Sequence, residues 1–292
     1  MIAQVRPLRP EYTTASLRHL WGVVLPGSSQ PRGLTTARRH YTGASNRSRL
    51  QRPLERAMRL IPTARLVTVL TREAAVAARD ELAALPGVHR CVQPSSRGTA
   101  PEVFLAALSV LQHDPHAIVA TLPAEHLVEH GPRFMQYVAR AAGAVGIRPE
   151  LPVIVAAYPG SPDPEYAWLE PGEPIDGLEA FDVRAVRRFV GRPSPAERAR
   201  ALLGTLAVVM SARTLVALGR RYLPDVVESL EPLEAVVGRP EETLLCDAVW
   251  ESMPRASVFG DLLAHVEPLG VVSMPDAMTG EWARPAAHAL AS

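Results

Sequence analysis

A carboxylate and an imidazole stand side by side at Glu125-His126, directly after the apolar run Ala117 to Leu122. A carboxylate can hold a hard cation, and an imidazole with no partner at metal-ligand spacing reads better as a hydrogen-bonding orienter than as a base. Five of the six residues in that run are apolar, which fits a strand covered on both faces. The pair therefore falls just past the carboxyl end of a parallel strand, where open α/β sheets bind ligands. Upstream, Thr99 and Glu102 fit the capping box S/T-x-x-E, with Pro101 in the first turn where its missing N–H costs nothing. Val103, Phe104, Ala107, Leu108 and Leu111 recur at helical spacing, and Asp114-Pro115 ends the helix.

The elements that must position this pair alternate along the chain. Strands are expected at Trp21 to Leu25, Leu66 to Leu70, Val88 to Val92, Ala117 to Leu122 and Pro152 to Ala157. Helices are expected at Leu50 to Leu60, Glu73 to Leu85 and Arg133 to Ala144. The order predicts an α/β fold with a doubly wound, mostly parallel, Rossmann-like sheet. Beyond Tyr158 the rhythm changes. Pro-rich turns frame a strand at Val183 to Val190 whose alternation suggests a smaller antiparallel addition. A strand at Leu206 to Met210 and helices at 212–222, 224–236 and 241–251 follow. Residues 1–20 read as a partly disordered lead-in without the apolar segment of a signal peptide. The rest, 21–292, reads as one domain with halves at about 21–150 and 151–292.

Composition removes several classes of function. The 292 residues carry a net charge of +1 and no basic tail, so no footprint for nucleic acid is visible. No apolar run approaches the roughly 18 residues that span a bilayer, so a membrane partner is not expected. Two cysteines, Cys91 and Cys246, give neither a disulfide framework nor metal-ligand spacing, which fits a reducing, cytoplasmic setting. All 31 of the Lys and Arg positions are Arg. Schiff-base chemistry and a lysine base are thereby excluded, whereas phosphate binding by guanidinium is not. G-x-S-x-G, H-E-x-x-H and Walker patterns are absent.

The segments RGTAPEVFLAAL and DPHAIVATLPAEH resemble the R-G-T-A-P helix and P-x-D-H strand end of the sugar-phosphate nucleotidyltransferases, most closely the bacterial mannose-1-phosphate guanylyltransferases. PDPEYAWLEPG is similar to that family's sugar-site turn, and the likeness runs from about Trp21 to Arg284. It implies a nucleotide-diphospho-sugar transferase fold and the reaction of a sugar 1-phosphate with a nucleoside triphosphate, most readily mannose 1-phosphate with GTP. It implies Mg²⁺ or Mn²⁺ as cofactor. By position, Gly27 and Ser28 fall in the phosphate loop, with Arg32 and Arg39 as its cations. Arg97, Gly98, Thr99 and Ala100 form the nucleobase loop, with His126 also on the nucleotide. Tyr166, Ala167, Glu170 and Arg192 fall at the sugar, and Glu125 and Glu281 at the metal.

Departures from the pattern leave a second reading. Two loop glycines are Ser28 and Gln30, Pro31 removes a backbone donor, Gly191 replaces a glutamate, and both metal aspartates are glutamates. A catalytically reduced homologue that binds nucleotide or nucleotide sugar as a regulatory or assembly protein is the alternative. Each site residue also has a structural alternative: solvated charge for Arg32, Arg39 and Glu125, core for Tyr166 and Trp168. Oligomeric state is left open, a homodimer included.

Overall fold

The computed structural model describes residues 15–25, 50–123, 131–158, 167–191, 193–237, 239 and 241–274. Trp21, Val23 and Leu25 enter one core while Leu20 and Val24 enter another, as a strand buried on both faces requires. The first half comprises β1 (Leu20–Leu25), α1 (Gln51–Ala57), β2 (Leu66–Thr71), α2 (Arg72–Ala77), α3 (Arg79–Ala83), β3 (His89–Gln93), α4 (Thr99–His113), β4 (Ile118–Pro123) and α5 (Gly131–Ile147). The second comprises β5 (Val153–Ala157), β6 (Trp168–Pro174), β7 (Val183–Val190), α6 (Pro195–Arg198), β8 (Leu202–Ser211), α7 (Ala212–Tyr222), α8 (Pro224–Glu234), α9 (Glu242–Ser252) and β9 (Gly270–Met274). Helices cover both faces. Phe104 of α4, Leu215 of α7 and Val226 of α8 join one core, and Leu54 of α1 and Phe134 of α5 join the other.

The strands form one mixed sheet in the order β3-β2-β1-β4-β8-β5-β9-β7-β6. The expected parallel arrangement holds for β3-β2-β1-β4, and β9, where no strand was expected, runs parallel to β5. It stops at β8, which runs antiparallel to both β4 and β5. Strand β8 also pairs with β6, so β8-β5-β9-β7-β6 closes into a five-stranded ring. The sheet is therefore mixed rather than mostly parallel. The reason is that β8 bridges the halves, so strands of 21–150 and 151–292 lie in one hydrogen-bonded system. Among the described residues no helix is long and apolar enough to cross a membrane.

Three local expectations are corrected. Thr99 does not cap α4: Gly98 holds the N-cap position with no side-chain cap, because the Thr99 hydroxyl accepts the Val258 N–H at 2.9 Å. Glu102, only 2% exposed, accepts instead from Gln93 Nε2 at 2.7 Å and Ser96 Oγ at 3.1 Å. Strand β6 lies where Pro and Gly suggested turns; only Trp168 and Leu169 of it are buried, and its register slips at Pro171. Strand β9 is five residues long and carried no sequence signal of its own.

Candidate active site

Register places the ends of several strands at one level. Leu25 of β1 pairs with Pro123 of β4. Ala120 of β4 and Val153 of β5 face the same residue, Val209 of β8. Ala157 of β5 pairs with Met274 of β9. The carboxyl ends of β1, β4, β5 and β9 thus share one edge of the sheet. Trp168 joins them through Leu203, which faces both it and Ala157. Neighbouring carboxyl ends of parallel strands are where an α/β sheet leaves room for a ligand.

The interior beneath this edge is distorted and tightly held. Strand β8 bulges opposite Val155 and Ala156, and Leu206 takes φ 57°, a conformation in which an L side chain is strained. Two nearly buried threonines fix it. Thr121 Oγ1 donates to the Leu206 carbonyl at 2.8 Å and accepts the Val208 N–H at 2.9 Å. Thr205 Oγ1 donates to the Val155 carbonyl at 2.6 Å. Bulges of this kind re-aim strands next to sites.

Beyond β3 the loop 94–98 is tied down by residues distant in sequence. Trp250 Nε1 donates to the Ser95 carbonyl at 2.8 Å, and Arg97 Nη2 donates back to the Trp250 carbonyl at 3.0 Å. The Ala256 N–H reaches the Arg97 carbonyl at 3.0 Å, and the Ala100 N–H reaches the Ala256 carbonyl at 3.1 Å. Gly98 makes this approach feasible. Its φ is 96°, and a Cβ there would stand 2.3 Å from the Ala256 oxygen. The same stretch of chain continues to Phe259, whose ring approaches Gly204 at the start of β8. Nothing in the spacing of residues 250–259 marked them as partners of this loop; the signal is tertiary.

No family profile matches the chain. A mannose-1-phosphate guanylyltransferase of Klebsiella pneumoniae is 26% identical over 147 residues, covering 48% of this chain and 30% of that protein. The enzyme of the same description from Escherichia coli (strain K12) is 26% identical over 161 residues, covering 50% of this chain and 32% of its own length. The chain thus spans about a third of these curated relatives. In fold, a crystal structure described as a mannose-1-phosphate geranyltransferase from Thermus thermophilus superposes with a TM-score of 0.72 at 23% identity, covering 87% of this chain and 74% of that one. One described as a mannose-6-phosphate isomerase from Helicobacter pylori gives 0.65 at 14% identity, covering 89% and 98%. The chain is a divergent relative of the sugar-phosphate nucleotidyltransferases.

The residues expected at the nucleobase, Arg97, Gly98, Thr99 and Ala100, run from the loop after β3 into the first turn of α4. Ala167 lies at the same edge, its carbonyl accepting the Gly204 N–H at 2.8 Å. Glu170 is engaged with protein: Arg188 Nε lies 2.8 Å and Arg187 Nη1 3.4 Å from its carboxylate. Arg188 also reaches Glu197 at 2.9 Å, and that contact with the Ser194 cap holds the Glu197 carboxyl down at about 2. Trp168 is core, packed with Val190, Ala201 and Leu203. Gly27, Ser28, Arg32, Arg39, Glu125, His126, Tyr166, Arg192 and Glu281 lie outside the described residues. The segments carrying all of these but Arg192 adjoin β1, β4, β5 and β9 at the shared edge.

Proposed function

We propose that the chain joins a sugar 1-phosphate to a nucleoside triphosphate with release of pyrophosphate, using mannose 1-phosphate and GTP to give GDP-mannose. The observation that carries this reading is the shared level of the β1, β4, β5 and β9 ends. The motif-bearing segments 26–49, 124–130, 159–166 and 275–292 all adjoin it. Guanine and mannose are taken from the descriptions of the two guanylyltransferases.

In this reaction a phosphate oxygen of the sugar 1-phosphate attacks the α-phosphorus of the triphosphate. The bond from that phosphorus to the bridging oxygen of the β-phosphate breaks, and pyrophosphate leaves. No bond to the protein forms, so the chain acts by positioning and by neutralising phosphate charge. Arg32 and Arg39 serve the triphosphate as fixed cations, a role that guanidinium fills without lysine. The loop Arg97–Ala100 receives the base. Tyr166, Ala167, Glu170 and Arg192 serve the sugar.

The donor chemistry fits a hard divalent cation. Glu125 follows β4 and Glu281 follows β9, and both offer carboxylate oxygen. Among the described residues no group of three or more His, Cys, Asp and Glu side chains could hold a metal. Glu125 and Glu281 would hold Mg²⁺ jointly with substrate phosphates, the usual mode for this ion. When bound, the ion supplies countercharge to the phosphate oxygens.

The test is pyrophosphate release from GTP plus mannose 1-phosphate with Mg²⁺, run beside a Glu125→Gln variant. Release that the variant loses by about two orders of magnitude or more supports the reading, the scale on which removing one electrostatic contact to a reacting group acts. GTP or GDP-mannose binding without release would instead favour the catalytically reduced homologue.

A further inference from the structure

Resemblance puts Arg97 among the groups that contact the nucleotide, yet its guanidinium is turned into the protein. Nη2 donates to the Trp250 carbonyl, and Nε is shut off from solvent. Trp250, 2% exposed, closes the other side of the same loop by donating to Ser95. One residue of α9 therefore both gives a hydrogen bond to the loop and takes one from it. The Ala256 bonds to Arg97 and Ala100, with the Val258 bond to the Thr99 hydroxyl, extend this contact to the start of α4. Four loop groups are spent on protein: the Ser95 and Arg97 carbonyls, the Ala100 N–H and an Oγ1 lone pair of Thr99.

We propose that Trp250 and Arg97 form one clasp that positions Gly98–Ala100 for the nucleobase. Arg97 is a positioning residue: it acts through the loop and does not touch the phosphates. This inference rests on the nucleotide reading of the edge, and it separates two roles for an arginine that sequence alone cannot distinguish. An arginine on the phosphates discriminates GTP from guanosine and responds steeply to salt. A positioning arginine affects both ligands alike, because both carry the base.

The experiment is calorimetric titration of the full chain, wild type, Trp250→Phe, Arg97→Gln and the double variant, with GTP and with guanosine at two salt concentrations. Thermal melts check that each variant is folded. Phenylalanine keeps most of the buried ring and removes only the indole donor. Each single variant is expected to weaken GTP and guanosine by the same factor, roughly 2- to 10-fold, the range covered by one lost hydrogen bond. The double variant is expected to lose less than the product of the two, since both act on one loop. Loss of GTP affinity with guanosine unchanged in Arg97→Gln would overturn the proposal by placing the guanidinium on phosphate. Folded variants that bind both ligands like the wild type would overturn it as well, leaving the nucleotide reading intact. A wild-type chain that binds neither ligand would overturn that reading and the clasp together.

Discussion

Cys91 and Cys246 are distant in sequence but meet where α9 lies against β3, with Cys246 Sγ donating to the Val92 carbonyl at 3.8 Å. Burial pushes the Cys91 thiol up to about 12; a hydrogen bond with Ser109 opposes this, and Glu242 and Cys246 add to it. The sign follows from proton binding. Above its ordinary value of 9.0 the unfolded thiol ionises while the folded one does not. Folding stability is therefore fully present below pH 9 and falls between pH 9 and about 12, by at most about 1.4 kcal/mol per pH unit. Urea unfolding across that window is expected to show a shallower fall for Cys91→Ala than for the wild type. Equal slopes would mean that the thiol ionises in the folded protein as it does in the unfolded one. The pair also illustrates what spacing conceals: the sequence excluded a disulfide framework but carried no sign that the two thiols neighbour each other.

At the scale of elements, most of the framework was legible because burial on both faces leaves a plain signal. The strands of the first half and helices α7, α8 and α9 stand within a few residues of where periodicity put them. What escaped was set by partners distant in sequence. The capping box at Thr99 and Glu102 matched its pattern, but Val258 on one side and Gln93 with Ser96 on the other compete successfully for those side chains. Strand β6 was hidden by proline and glycine. Helix packing adds a requirement invisible to periodicity. A Cβ at Gly219 of α7 would lie 2.5 Å from the Phe104 ring of α4 and 2.7 Å from Val227 of α8. Gly219→Ala is expected to lower stability by about 1–2 kcal/mol, overpacking outweighing the gain in helix propensity. A fall in the urea midpoint at unchanged slope would bear this out, and a rise would show that α7 can shift away without cost.

Taken whole, the molecule is one mixed sheet in which β8 joins a parallel half to a closed five-stranded ring. That closure could not be read from the sequence, since it depends on β8 pairing with three other strands. The carboxyl end of β4 was readable from its buried run whatever the rest of the sheet does, while Glu125 beyond it lies outside the described residues. The reaction proposed for this edge is attack on the α-phosphorus of a nucleoside triphosphate. GTP labelled separately at the α- and γ-phosphates, incubated with mannose 1-phosphate and Mg²⁺, tests it most directly. The α label is expected to enter GDP-mannose while the γ label leaves in pyrophosphate, in equal amounts. The α label remaining in GTP, or appearing in GDP while the γ label leaves as free phosphate, would contradict it.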